Sequence, residues 1–119
     1  MNKTIKIVDF CPTALSIADG EVLKKEIEKY LETFEKIILD FDNITLFASP
    51  FFNQSIGYFV TKLTPEIFLQ KINCINLTEL GNQTYKYSYN NACSVYEKSL
   101  KESDIDSIND IINNNIENS

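Results

Sequence analysis

The sequence contains no histidine among its 119 residues, and this absence removes several kinds of catalytic site at once. Ser-His-Asp and Cys-His catalysis need an imidazole base, and many metal sites need histidine as a ligand. The chain also lacks the G-x-x-x-x-G-K-[ST] loop and the G-x-G-x-x-G turn, the two commonest phosphate-binding loops of nucleotide-binding proteins. The sequence therefore predicts a protein with no catalytic residues, no metal ligands and no cofactor.

Long apolar runs are missing as well. No stretch approaches the 18 residues of a membrane-spanning helix, and the N-terminus has neither a long apolar core nor a small-residue cleavage site. The three cysteines, Cys11, Cys74 and Cys93, form no C-x-x-C pair and are odd in number, so we expect buried thiols rather than disulfides. These features predict a cytoplasmic protein with no membrane partner.

Basic residues are few compared with acidic ones. Eleven lysines and arginines stand against 17 acidic residues, which gives a net charge of −6. Because binding to a phosphate backbone depends on a basic surface, this balance argues against a nucleic-acid partner. A hydrophobic content of 44% with only three Gly and three Pro fits one compact domain.

We place this domain at residues 1–99 and treat residues 100–119 as an acidic, Asn-rich C-terminal tail. Four isoleucines of the tail recur at spacings of three and four, which favours a short amphipathic helix there. They are Ile105, Ile108, Ile112 and Ile116.

Apolar periodicity divides the domain into strands and helices. Strands are predicted at residues 3–8, 37–39 and 72–77. Helices are predicted at residues 20–34 with Asp19 as N-cap, at residues 50–63, at residues 65–70, and from a Thr78 cap to about residue 98. The last region also shows strand-like alternation at Tyr85, Tyr87 and Tyr89, but helical spacing fits more of its residues. This order predicts an α/β fold in which helices pack against a small sheet.

The helix start at Ser49 and Pro50 is the best candidate for a functional surface. Serine suits the N-cap position and proline the first helical position. Ser49 is also a candidate phosphoacceptor, because the free N–H groups at a helix N-terminus stabilise a phosphate. Gly57, inside the same helix, predicts that another part of the chain, such as a crossing strand, approaches the helix backbone closely there.

Two further groups of residues have alternative interpretations. Asp40 and Asp42 follow a buried strand, where two carboxylates can hold Mg²⁺ for phosphoryl transfer or simply end the strand and cap the next turn. Five tyrosines form a second candidate surface, since tyrosine is favoured in interfaces. They are Tyr58, Tyr85, Tyr87, Tyr89 and Tyr96.

The segment Leu-Asp-Phe-Asp-Asn-Ile at residues 39–44, followed by Ala-Ser-Pro-Phe-Phe-Asn-Gln-Ser-Ile-Gly at residues 48–57, resembles the STAS-like family of uncharacterised bacterial domains. The resemblance covers about residues 5–98. It implies a small mixed β-sheet with helices packed against it. It also implies a regulatory role like that of anti-sigma-factor antagonists, which are phosphorylated at the start of their second helix.

The implied partner is a protein, either a serine kinase of the histidine-kinase-like ATPase type or an anti-sigma factor. In STAS domains proper the turn reads Asp-Ser-Ser-Gly, whereas residues 48–51 read Ala-Ser-Pro-Phe. The usual phosphoacceptor position therefore falls on Pro50, and Ser49 lies one position earlier.

Our leading interpretation is a non-enzymatic regulatory module that binds a protein partner and is phosphorylated near Ser49. Its predicted partner-binding residues are Ser49, Pro50, Phe51, Asn53 and Gln54. One alternative is a small Mg-dependent phosphoryl-transfer enzyme that uses Asp40 and Asp42. The other is a structural subunit that forms a homodimer through tyrosine-rich or isoleucine-rich helix faces.

Overall fold

The computed structural model describes the backbone of residues 1–117 and the side chains of residues 1–101. Its strands are β1 (Asn2–Lys6), β2 (Lys36–Asp40) and β3 (Ile72–Ile75), and a short 3-10 turn, Ile7–Asp9, follows β1. Its helices are α1 (Ile17–Tyr30), α2 (Ser49–Phe52), α3 (Tyr58–Leu63), α4 (Pro65–Lys71) and α5 (Glu79–Glu117). A π-helical turn, Asn53–Gly57, joins α2 to α3 without a break, and we call this continuous segment the 49–63 helix.

The three strands form one parallel sheet with β2 in the centre. Leu39 of β2 pairs with Ile5 on one side and with Cys74 on the other. Helical segments connect β1 to β2 and β2 to β3, and such crossovers return the chain to the same end of the sheet. The α/β prediction is confirmed, and the sheet is parallel where the resemblance implied a mixed one.

The predicted elements are all present, with corrected ends. Helix α1 begins three residues before the predicted start, because Ser16 is its N-cap and accepts a hydrogen bond from the Asp19 backbone N–H at 3.0 Å. The assignment of Asp19 as the cap was therefore wrong. Thr78 caps α5 as predicted, and its hydroxyl accepts a hydrogen bond from the Gly81 N–H at 3.0 Å.

Helix α5 contains Tyr85, Tyr87 and Tyr89, so the helical interpretation of this region is confirmed. It continues across residue 99 to Glu117, and the division of the chain at residue 99 stays a prediction. The predicted isoleucine face at residues 105–116 lies outside the residues whose side chains are described.

The core is rich in phenylalanine where the end of β2 meets the 49–63 helix. Phe41, Phe51 and Phe52 have no exposed surface, and the rings of Phe51 and Phe52 meet edge to face with centroids 5.3 Å apart. Phe47 stacks on Phe52 at 6.1 Å, and Tyr85 of α5 contacts the same ring at 5.9 Å. This cluster fixes the position of the 49–63 helix between the sheet and α5.

Two glycines pack in ways that the sequence did not indicate. A Cβ atom on Gly57 would lie 3.8 Å from the Cβ of Ala92, which is ordinary contact, so the predicted close backbone approach at Gly57 was wrong. The close approach occurs at Gly20 of α1, where a Cβ would lie 2.6 Å from the carbonyl oxygen of Phe51. Glycine at position 20 therefore lets α1 pack directly on the 49–63 helix.

Among the residues that the structure describes, no helix is both long enough and apolar enough to span a membrane.

Candidate functional site

The start of the 49–63 helix is held in place by backbone hydrogen bonds rather than by a serine cap. Ala48 occupies the N-cap position and Ser49 is the first helical residue, so the assignment of Ser49 as N-cap was wrong. The Ala48 N–H donates to the Ala14 carbonyl at 2.8 Å, and the Ala14 N–H donates to the Leu46 carbonyl at 2.9 Å. This bridge fixes the direction in which the chain enters the helix, and the Ser49 hydroxyl has no capping role.

The predicted partner-binding residues divide into surface and core. Pro50 and Asn53 are exposed, and Ser49 and Gln54 are half-buried. Phe51 has no exposed surface because it packs in the phenylalanine cluster. Its assignment as a partner contact was therefore wrong, whereas the other four side chains reach the surface.

Helix α5 lies alongside the 49–63 helix and runs in the same direction. The Phe47 ring lies over Gly81 so closely that a Cβ on Gly81 would be 2.7 Å from a ring carbon. Farther along, Phe52 contacts Tyr85, and Gly57 lies opposite Ala92. The two helices thus form the walls of a long surface depression, which we call the interhelical groove.

One end of this groove, the Ser49 end, has a volume of about 330 Å³. Ala48 and Ser49 form one wall, and residues of α5 form the other. The α5 residues are Leu80, Gln83, Thr84 and Tyr87. Leu80 is 54% exposed and Tyr87 is 62% exposed, so two large side chains offer apolar surface beside the serine hydroxyl.

The other end of the groove, the Tyr58 end, has a volume of about 350 Å³. Its lining from the 49–63 helix is Asn53, Gln54, Gly57, Tyr58 and Thr61, and its lining from α5 is Ser88, Asn91, Ala92 and Val95. Both sets recur at spacings of one, three and four residues, as expected for helix faces. The Ser88 hydroxyl is fully buried and has no hydrogen-bond partner in the described part of the chain.

The π-helical turn gives the 49–63 helix an irregular surface at this end. The Ser55 hydroxyl donates to the Phe51 carbonyl at 2.8 Å and competes with the backbone N–H that normally binds that carbonyl. A π-turn adds one residue to a helical turn and is frequent at functional sites. The sequence pattern predicted a regular helix here, because apolar periodicity does not register a single extra residue.

Polar and charged groups of α1 line the border of the Tyr58 end. The Gln54 side-chain amide donates to a Glu21 carboxylate oxygen at 2.6 Å. The ammonium group of Lys24 lies 3.9 Å from the centre of the Tyr58 ring, and that of Lys62 lies 5.3 Å from it. Both contacts have the geometry of a cation–π interaction. The Lys24 ammonium also pairs with the Glu21 carboxylate at 3.8 Å, so two lysines and one glutamate border this end of the groove.

Asp40 and Asp42 are arranged as a turn rather than as a metal site. Asp40 Oδ1 accepts hydrogen bonds from the Asn76 side-chain amide at 2.9 Å and from the Asp42 backbone N–H at 3.0 Å. These two donors, with Asn76 the stronger influence, lower the pKa of the Asp40 carboxyl. Across the described residues, no group of three or more Cys, Asp or Glu side chains has the geometry to hold a metal ion.

The tyrosines do not form one common surface. Tyr85 is half-buried between Phe52 and Tyr89, and Tyr89 stacks on Phe68 at 6.0 Å. Burial raises the pKa of both phenols, and only Tyr87 of these three is largely exposed. Tyr87 therefore belongs to the Ser49 end of the groove, while its neighbours extend the core.

Sequence reasoning missed the part that α5 plays in the candidate site. The available signal was Gly81 followed by Thr84 and Tyr87 at helical spacing, but nothing in the sequence indicates which helix packs beside which.

Comparison with known proteins gives one match. The model of a family described as a STAS-like domain of unknown function (DUF4325) matches residues 19–82. This range includes all but the first two residues of α1, then β2, the whole 49–63 helix, α4, β3 and the first turn of α5. Neither the curated proteins nor the solved structures contain a match. The chain belongs to the STAS-like family DUF4325, as its sequence resemblance indicated.

Proposed function

We propose that this chain is a non-enzymatic regulatory module that binds a protein partner at the Ser49 end of the interhelical groove. The observation that carries the proposal is the placement of Ser49 beside the exposed side chains of Leu80 and Tyr87, with Pro50 exposed next to Ser49 in the chain. Aromatic and apolar side chains at the centre of a polar surface are typical of protein interfaces.

The polar residues around this surface complete the proposed contact. Asn53 and Gln54 extend it along the 49–63 helix, and Gln83 and Thr84 extend it along α5. Amide and hydroxyl groups supply hydrogen bonds at the rim of an interface without the desolvation cost of a charge. The STAS-like family suggests the class of partner, which we propose to be a histidine-kinase-like ATPase with serine kinase activity or an anti-sigma factor.

We further propose that phosphorylation of Ser49 regulates this contact. Ser49 is the first residue of a helical segment that continues to Leu63, and its backbone lies among N–H groups that have no partner within the helix. A phosphate there adds nearly two negative charges next to Leu80 and Tyr87. An interface built on apolar contacts loses affinity when such a charge must be desolvated.

The test is capture of partners from the native host with tagged protein, followed by mass spectrometry. The baits are the wild-type chain, Ser49→Asp as a charge mimic, and Ser49→Ala as the matched control. Aspartate is favourable in the first turn of a helix, so the mimic is expected to keep the fold. We expect the wild type and Ser49→Ala to retain the same ATPase or regulator, and Ser49→Asp to retain roughly tenfold less, a free-energy difference of about 1.4 kcal/mol.

The same experiment examines whether Ser49 is modified. A phosphate on Ser49 of protein purified from the host supports the regulatory part of the proposal. Identical captures in all three lanes, with Ser49 unmodified, contradict it.

A further inference from the structure

The negative charge of the chain is concentrated in its last 18 residues. Five of the 17 acidic residues follow Lys101 and none of the 11 basic residues does, so residues 102–119 carry −5 of the net −6. The acidic residues are Glu102, Asp104, Asp106, Asp110 and Glu117. The folded body is nearly neutral by comparison.

This acidic segment cannot reach the interhelical groove of its own chain. The backbone of α5 is helical from Glu79 to Glu117, and the last glycine and the last proline of the chain are Gly81 and Pro65. A helix rises about 1.5 Å per residue, so Ile105 lies about 15 Å beyond Val95 along the axis and the chain continues away from the groove. Only another molecule can place such a segment in it.

The sequence of the segment suits a helical groove. Its isoleucines at positions 105, 108, 112 and 116 recur at spacings that fall on one face of a helix. We call this row of isoleucines the stripe. At a rise of about 1.5 Å per residue, the stripe from residue 105 to residue 116 is about 17 Å long, whereas the groove wall from Asn53 to Thr61 is about 12 Å long. The stripe is therefore long enough to cover the Tyr58 end completely.

The chemistry of the Tyr58 end matches the segment. Val95 is 59% exposed and, with Tyr58, supplies apolar surface. The exposed side chain of Asn91 can pair with the serine and asparagine side chains that flank the isoleucines. Lys24 and Lys62 lie beside Tyr58 and Glu21 lies 3.8 Å from the Lys24 ammonium, so these three groups leave one net positive charge where an acidic helix would lie.

We propose that a second copy of this chain inserts its residues 105–116 into the Tyr58 end of the groove, and that the contact is reciprocal. A two-fold dimer of this kind pairs the two α5 helices antiparallel about residue 102. That arrangement brings Lys98 and Lys101 of each copy close to Asp104 and Asp106 of the other. The proposal does not depend on the proposed function, which is centred on Ser49, Leu80 and Tyr87; the two share only Asn53 and Gln54, which line the Tyr58 end.

Sedimentation equilibrium of the full-length chain tests this dimer. Val95→Asp disrupts the groove, and Leu69→Asp is the matched control, since Leu69 is exposed on α4 outside the groove. Ile108→Asp disrupts the stripe, and Asn114→Asp, half a helical turn from the stripe, is its control. We expect a wild-type dimer that both disruptive variants weaken by roughly tenfold or more and both controls leave intact.

Mixing provides a second readout that does not depend on the stability of either variant alone. A Val95→Asp chain keeps its stripe and an Ile108→Asp chain keeps its groove, so the mixture is expected to form a heterodimer through one intact contact. A monomeric wild type at about 0.2 mM overturns the proposal. Loss of the dimer with Ile108→Asp but not with Val95→Asp also overturns the proposal, because it means that the two C-terminal segments pair with each other. Loss of the dimer with Val95→Asp but not with Ile108→Asp overturns it as well.

Discussion

Asp40 accepts two hydrogen bonds, from the side chain of Asn76 after β3 and from the backbone N–H of Asp42, and these donors determine its behaviour in acid. Asn76 has a φ of 60°, a left-handed conformation that asparagine tolerates better than most residues. The carboxylate thus ties the end of β2 to the turn that follows β3. The Asp40 carboxylate therefore has a structural role at this edge of the sheet.

We predict that Asp40→Asn removes part of the acid sensitivity of the fold. The folded-state pKa of Asp40 is lowered, so its stabilising contribution is complete above the unfolded-state value of 3.8 and is lost as the pH falls through the folded-state pKa. Urea unfolding between pH 6 and pH 3 should show a smaller loss of stability for Asp40→Asn than for the wild type. If the free energy of unfolding falls equally with pH in both proteins, the structural role assigned to Asp40 is contradicted.

Two of the cysteines are predicted to resist modification in the folded protein. Burial raises the pKa of Cys11 to about 11 and that of Cys74 to about 12, and the thiolate is the reactive form. At pH 8 a thiol reagent should leave both residues unmodified over minutes, as mapped by peptide mass spectrometry, and should label them after denaturation. Rapid labelling of Cys74 in the native protein would mean that β3 is less well packed than described.

At the level of helices, the glycines determine how closely the elements approach. We predict that Gly20→Ala destabilises the fold by about 1–3 kcal/mol, because the added methyl group would meet the Phe51 carbonyl and overpack the contact between α1 and the 49–63 helix. Gly57→Ala is the matched comparison. It should stabilise the protein by about 0.5–1 kcal/mol, since alanine is the better helix former and its Cβ meets only ordinary contacts.

Chemical denaturation of both variants gives the measurement. The opposite signs matter more than the sizes, because both substitutions add the same methyl group inside a helix. Equal changes in the free energy of unfolding for Gly20→Ala and Gly57→Ala would contradict the close contact described at Gly20 and the ordinary contact described at Gly57.

The elements with a clear apolar period were predictable from sequence. The run Ile37–Ile38–Leu39 is short, bounded by charge and contains two β-branched residues, and it forms the central strand. Thr78 and Pro65 indicated the starts of α5 and α4 because capping and proline placement are local properties of the chain. Ser16 was missed because the residues after it, Ile17 and Ala18, are exposed and begin no apolar stripe.

The candidate site was only half predictable. Ser49 and Pro50 stood out through local helix-start chemistry, but the opposite wall depends on α5 packing in parallel beside the 49–63 helix. That packing follows from the contact between Phe47 and Gly81, two residues that are 34 positions apart. The burial of Phe51 was missed for the same reason, since its neighbours in the core are set by the tertiary fold rather than by the local sequence.

For the molecule as a whole, the family match covers the two walls of the groove unequally. It ends at residue 82, so it includes every residue of the 49–63 helix that lines either end, but only Leu80 among the α5 residues that line the groove. The rest of the α5 wall and the acidic helix that follows it lie outside the matched region.

Docking of a partner at the Ser49 end can be tested directly through two adjacent residues of α5. Gln83 lines this end, whereas its neighbour Asn82 is also exposed but lines neither end of the groove. Substitution of each by lysine makes a matched pair on one helix. The measurement is the amount of partner protein that each variant retains from the native host relative to the wild type.

We predict that Gln83→Lys loses most of the captured partner, by roughly tenfold, while Asn82→Lys retains it. Equal retention by the two variants would contradict a docking site at the Ser49 end.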